Sequence, residues 1–252
     1  TETSGTGLNF NLAQASVASI EILTVVPNSA SIQGFSTIFS ALSTINTTGT
    51  GSSITSFDDN LNLAAVNIGS GISTLNASGS LGVRIFDGTD DGGRTINGSS
   101  FGDTLSGAGG ADTFNIGGGS DTVTGGTGDD IINITSNADL EIADQNSFSG
   151  GDGTDTVRVT SSSVTSIGLS ESSAFTTMES IDLSQGSSSG VTFSIHDANQ
   201  IDNASGVTIK GASGVDTLVI RSNGFELAGK TLFDSMEAIS LTNTSAANIS
   251  FS

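Results

Sequence analysis

Residues 98–133 hold one nine-residue frame through four successive segments: GSSFGDTLS, GAGGADTFN, IGGGSDTVT and GGTGDDIIN. Aspartates stand at 103, 112, 121 and 130, and two residues after each comes an apolar side chain, Leu105, Phe114, Val123 and Ile132. Glycine fills most of the remaining frame. A linker rich in Gly and Asp would not keep this register through four copies. The spacing predicts a tight six-residue turn ending in Asp, then a three-residue strand whose middle side chain points inward. Two such units make one coil of a parallel β-roll. Residues eighteen apart then stack at the spacing of neighbouring strands, about 4.8 Å. Asp103 is expected beneath Asp121 on one edge, and Asp112 beneath Asp130 on the other.

Two stacked carboxylates about 5 Å apart repel by roughly 3 kcal/mol at an effective dielectric of ~20. A column of them closes only with counter-ions. A hard cation that takes oxygen ligands in flexible geometry, Ca²⁺ rather than octahedral Mg²⁺, fits a set of Asp side chains and turn carbonyls. The candidate ligands are Asp103, Asp112, Asp121 and Asp130, with turn residues Gly107, Gly109, Gly117, Gly119, Gly126, Gly128 and Asp129. Calcium binding and folding are then expected to be coupled.

The frame has departures. Phe101 stands where Gly is usual, and the third segment begins with Ile116. Residues 89–97 keep the apolar slot at Ile96 but carry Arg94 in the Asp slot, which reads as a capping repeat whose arginine replaces a metal's charge. A fifth copy spans 150–158 (GGDGTDTVR), with Asp155 in the metal slot and Asp152 as a helper ligand. A sixth spans 211–219 (GASGVDTLV), with Asp216. Neither has an evident neighbour eighteen residues away, and a lone copy is more often a plain turn, at Asp216 above all.

The block resembles the hemolysin-type calcium-binding repeats of secreted RTX proteins, a family that includes toxins, proteases, lipases, adhesins and bacterial surface-layer proteins. In that family the first six residues of each nonapeptide bind Ca²⁺ and the last three form the strand. The resemblance covers residues 98–133, or 89–133 with the capping repeat, and implies a calcium module rather than an activity. It also implies an extracellular or bacterial cell-surface location reached by type I secretion. Residues 248–252 lack the acidic and hydrophobic ending expected for that route. The chain is therefore expected to be a piece or mature product of something longer, or to leave the cell differently.

The formal net charge is −20, from 26 acidic and 6 basic residues, which suits cation loading and disfavours nucleic acid. There is no Cys, Trp or Tyr, one Pro and 34 Gly, with few helix formers, so short strands and turns are expected. Thirteen Phe and regularly spaced Ile, Leu and Val argue against disorder. No run approaches the apolar length of a membrane span. H-E-x-x-H and phosphate-loop motifs are missing. The single histidine, His196, has Asp197 too near in sequence to complete a triad, and reads as a surface residue on a short helical turn. After the block the basic residues are Arg158, Lys210, Arg221 and Lys230, none in an acidic constellation.

In the flanks, 19–26, 60–68 and 82–86 read as strands. Residues 35–45 place Phe35, Ile38, Phe39, Leu42 and Ile45 at helical spacing. A longer repeat aligns 175–194 with 233–252 at an offset of 58, through Phe175/Phe233, Met178/Met236, Glu179/Glu237 and Ile181/Ile239. The expected fold is all-β, a parallel β-roll or β-solenoid with calcium-binding turns and one or two short helices. Its expected parts are a β-rich segment with a short helix (1–86), the calcium roll (87–160) and a repeat module continuing the solenoid (161–252). The expected function is that of a secreted, non-enzymatic structural protein. It would fold on Ca²⁺ and self-assemble at the cell surface as a homo-oligomer or polymer, in a surface layer, filament or adhesin, with cell-surface polysaccharide as a partner. The alternatives are a non-catalytic export and folding module of a larger secreted enzyme or toxin and, less favoured, a β-solenoid polysaccharide lyase.

Overall fold

The computed structural model describes residues 9–12, 21–25, 29–47, 49–78, 81–89, 92–141, 143–171, 173–196, 200–201, 206–221, 226–227, 231–241 and 250–251. Within the nonapeptide block each predicted strand forms where the frame puts it: Thr95–Asn97, Thr104–Ser106, Thr113–Asn115, Thr122–Thr127 and Ile131–Ile134. Alternate strands pair in parallel, Ile96 with Phe114 and Phe114 with Ile132 on one face, Leu105 with Val123 on the other. One coil is thus eighteen residues and two-faced, and the chain is a parallel all-β solenoid with almost no helix.

One eleven-stranded sheet runs from Asn9–Asn11 to Thr231–Asp234, across both expected boundaries at 86 and 160. A six-stranded sheet opposes it from Asn60–Asn62 to Ala174–Thr176. Outside the block the coils lengthen: Ile32 pairs with Ile54, Ile132 with Val157 and Ile181 with Ile209. The extra residues build further sheets. A three-stranded one (Ile22–Val25, Thr44–Thr47, Asn67–Ile68) lies before the block. A four-stranded one (Ser166–Gly168, Thr192–Ile195, Thr217–Ile220, Ala238–Leu241) lies after it.

Inward side chains stack coil on coil. Ile32, Ile54, Leu75, Ile96, Phe114, Ile132 and Val157 line the long sheet, and Leu61, Ile85, Leu105, Val123, Phe148 and Phe175 face them, all buried. Phe148 and Phe175 stack at 5.0 Å. Each such side chain contributes about 1.5–3 kcal/mol of transfer free energy. Among the described residues no helix is long and apolar enough to cross a membrane.

Several flanking expectations are corrected. The helix expected over 35–45 is a single turn, Ser36–Phe39. Ile45 instead lies on Thr44–Thr47, hydrogen-bonded between strands carrying Leu23 and Ile68. Two neighbouring strand edges outcompete a helical spacing that only five residues supported. Ile38, Phe39, Leu42 and Ile45 are nonetheless buried, while Phe35 is 42% exposed. Of 19–26, the strand is Ile22–Val25, and 19–20 and 26 lie outside the described residues. The strand expected at 60–68 divides into Asn60–Asn62 and Asn67–Ile68, on two different sheets. The copies related by 58 residues do not share a face. Phe175 lies in the six-stranded sheet and Phe233 in the eleven-stranded one, Ile181 in the eleven-stranded sheet and Ile239 in the four-stranded one. The alignment therefore detects a common corner, strand–turn–strand, that serves more than one edge.

Candidate metal centre

Each repeat Asp stands one residue before its strand, at a corner where its main-chain N–H has no ladder partner. The N–H is met by a side-chain oxygen one coil later. Asp112 N–H donates to Asp130 Oδ1 (2.7 Å) and Asp103 N–H to Asp121 Oδ1 (2.8 Å), so the eighteen-residue stacking holds on both edges. Both columns extend beyond the block. On one edge, Arg94 N–H donates to Asp112 Oδ1, Asp130 N–H to Asp155 Oδ1 and Asp155 N–H to Glu179 Oε2. On the other, Val83 N–H donates to Asp103 Oδ1, Asp121 N–H to Asn146 Oδ1 and Asn146 N–H to Ser173 Oγ. A third column runs from Val191 N–H to Asp216 Oδ1 and from Asp216 N–H to Glu237 Oε2.

Asp155 and Asp216 therefore do have neighbours, contrary to expectation from sequence. A fixed spacing of eighteen cannot find them, because Asp130 and Asp155 are separated by a 25-residue coil. Asn146, Ser173, Glu179 and Glu237 also went unrecognised as column members. The available signal was a polar residue two places before an inward apolar one, as in Asn146/Phe148, Ser173/Phe175 and Glu179/Ile181.

The second carboxylate oxygen divides the six copies into two kinds. Asp103 Oδ2 accepts Ser99 N–H (2.7 Å), and Oδ1 also takes the Ser99 hydroxyl (2.8 Å). Asp216 Oδ2 accepts Ala212 N–H (2.5 Å). The Oδ2 atoms of Asp112, Asp121, Asp130 and Asp155 are buried with no hydrogen-bond partner. The difference follows the residue four places before the Asp. Ala108, Gly117, Gly126 and Gly151 have φ of 66°, 74°, 121° and 115°, whereas Ser99 and Ala212 stay outside the left-handed region. Positive φ is easiest for Gly.

Burial pushes Asp112 and Asp121 up to about 8, helped by Asp87 and Asp130 for the first and by Asp103, Asp144 and Asp139 for the second. Burial takes Asp130 to about 6, and raises Asp155, with Glu179 and Asp129 adding repulsion. Charged, these groups lack compensation, and an unpaired buried carboxylate is costly.

A methyl placed on Gly107 would lie 2.2 Å from Asp112 Oδ2 and 2.7 Å from the carbonyl oxygen of Gly125. One on Gly125 would lie 2.1 Å from Asp130 Oδ2 and 2.4 Å from the Gly150 carbonyl oxygen. Over each of these glycines a carboxylate oxygen and a carbonyl of the next coil converge. That all-oxygen donor set fits Ca²⁺. Among the described residues no three acidic or imidazole side chains meet at one point, so Asp112, Asp121, Asp130 and Asp155 would hold the ion together with turn carbonyls.

Of the other candidates, Gly119 and Gly128 adopt positive φ, and Gly109 bridges to Thr127. Asp129 and Asp152 are exposed at the corner. Asp129 Oδ1 accepts Thr154 N–H (2.8 Å), and the Asp152 carbonyl accepts Gly128 N–H (2.8 Å). Arg94 closes its column with a buried ion pair to Asp87 (2.8 Å), and its main-chain N–H, then its positive charge, pull the Asp112 pKa down against the larger effect of burial.

A neutral ladder runs beside the columns. Asn97, Asn115 and Asn133 each donate a side-chain N–H to the preceding Asn carbonyl, at 2.7, 2.6 and 2.9 Å, starting from Asn76. Arg158 ends it on Asn133 (3.0 Å). His196 follows the strand Thr192–Ile195 and pairs with Glu171 (3.1 Å). Asp197 and Lys230 lie outside the described residues. The chain matches no family model, no curated protein and no solved structure.

Proposed function

We propose that the chain is a secreted calcium-binding structural protein, of the RTX kind, that folds on Ca²⁺ outside the cell and self-assembles at the cell surface. The observation that carries this is the set of four buried, partnerless carboxylate oxygens, on Asp112, Asp121, Asp130 and Asp155, in stacked columns. A divalent cation neutralises two charges at once and coordinates the convergent carbonyls, so binding free energy becomes folding free energy. A low-calcium cytosol would leave the columns uncompensated, while extracellular modules load at about 10⁻⁴–10⁻³ M Ca²⁺. The acidic surface left over, at a net charge of −20, keeps unloaded chains apart. Calcium relieves that repulsion and lets a strand edge of one copy meet that of another.

Calcium titration of chelated protein tests both halves. The far-ultraviolet β signal should rise through that concentration range, and light scattering should rise at millimolar Ca²⁺. An unchanged β signal in chelator sinks the folding claim, and a persistent monomer sinks the assembly claim.

A further inference from the structure

Along the eleven-stranded sheet the residue that follows each buried side chain, from Ile32 to Ile209, lies in one outward row. The row begins neutral, with Gln33, Thr55, Asn76, Asn97, Asn115 and Asn133. The next rungs carry Arg158, Asp182 and Lys210, and exposed Asp234 pairs with Lys210 on the strand after. Charge therefore alternates in sign at steps of about 4.8 Å. The companion outward row, from Ser31 to Thr208, is uncharged throughout. Two cations and two anions cancel, so on a chain of net charge −20 this face is neutral.

Contacts within the chain leave these charges largely unspent. Lys210 Nζ stands 3.9 Å from Asp182 Oδ2, and its side chain is half exposed. Arg158 gives an N–H to Asn133 (3.0 Å), and Asp234 accepts the Ser235 hydroxyl (3.0 Å). Neither Arg158 nor Asp234 forms an ion pair among the described residues. An alternating row is also its own complement. A second copy turned about a two-fold axis along the strands, midway between the Asp182 and Lys210 rungs, lays its Asp234 over Arg158 and its Lys210 over Asp182. The symmetry makes each contact twice, and every one joins opposite signs. Stacked sheets lie about 10 Å apart, a gap that Arg or Lys on one side and Asp on the other can span.

We propose that this row docks a second copy of the chain, face to face and antiparallel along the solenoid axis. A polyanion laid here would meet Asp182 and Asp234, and a polycation would meet Arg158 and Lys210. Only a surface with the same alternation, reversed, satisfies all four. The acidic corners repel a copy, whereas this face does not, so the row selects partner and register. The overlap is four rungs, about 200 Å² on each copy from strand spacing and rise, so one pair alone is weak. Repetition along an assembly adds such contacts together. The proposal rests on the self-assembly reading for its setting, and supplies it with a lateral contact distinct from the meeting of strand edges.

The test is sedimentation velocity of the full chain in millimolar Ca²⁺ across a concentration series. The parent should associate reversibly, and less so in high salt. Lys210→Asp and Asp182→Lys should each weaken association about tenfold, because each sets like charges face to face. Mixed in equal amounts, the two variants regain opposite signs at every contact and should associate as the parent does. That rescue also shows that both variants fold. Variants that associate as well as the parent, or a mixture without rescue, overturn the row and leave self-assembly to another contact. Discrete dimers with no larger species support the row and overturn the surface-layer reading. A parent that stays monomeric at every concentration overturns both, and one that instead binds an added acidic polysaccharide, with loss in Lys210→Asp, shows a different occupant.

Discussion

The main-chain N–H of Asp112 donates to Oδ1 of Asp130, 2.7 Å away on the next coil, while Oδ2 of the same carboxylate meets no donor. One oxygen holds two coils together and the other is left for a cation or a proton. Asp121 and Asp155 are divided in the same way between a neighbouring N–H and an unmet oxygen.

Asp130→Asn separates these two jobs. The amide oxygen still accepts Asp112 N–H, but the charge is gone and an N–H₂ replaces Oδ2. In chelator near neutral pH the variant should be more stable than the parent by about 1–2 kcal/mol, since one buried charge fewer is left uncompensated. In calcium it should be less stable and bind fewer ions. Asp103→Asn should leave the stoichiometry unchanged, because Ser99 already occupies that carboxylate. Thermal melts and calcium-binding calorimetry on both variants check the reversal of sign.

Protons should substitute for calcium. The folded-state pKa values of Asp112 and Asp121 are raised to about 8 and that of Asp130 to about 6, from 3.8. The native state therefore binds more protons than the unfolded one, and stability falls as pH rises. That contribution is complete below about 4 and is lost by about 8. In chelator, urea midpoints should drop steadily from pH 5 to pH 8. A flat profile would contradict burial of these groups.

Gly107→Ala and Gly150→Ala should each destabilise the roll by about 1–3 kcal/mol. The new methyl would lie 2.2 Å from Asp112 Oδ2 in the first and 2.1 Å from Asp155 Oδ2 in the second. Gly118→Ala meets its nearest atom at 3.1 Å and should cost less. Calcium-dependent melting of the three variants ranks them. Equal losses would mean that the close approach of carboxylate to glycine is not what requires Gly.

Asn115→Ala should cost about 1–3 kcal/mol by leaving Asn97 Oδ1 and the Asn133 amide unmet. The loss should appear in calcium as a lower urea midpoint with an unchanged m-value.

The nine-residue period alone determined the strands, the inward column of Leu105, Phe114, Val123 and Ile132, and the stacking of Asp103 with Asp121 and Asp112 with Asp130. One apolar slot per short unit admits only that arrangement. Tertiary structure decided the rest. Asp155 meets Asp130 across a longer coil, so its partner stands at no fixed distance along the chain. Ile45 joined a strand because two edges awaited it, although its spacing was helical. Whether an Asp keeps a vacant oxygen depends on one backbone torsion, that of Ser99 or Gly126 four residues earlier, which turns an amide toward the carboxylate or away from it. A repeat pattern specifies which residues recur, but contacts between coils of unequal length, and the direction in which a single amide points, exist only once the coils are stacked.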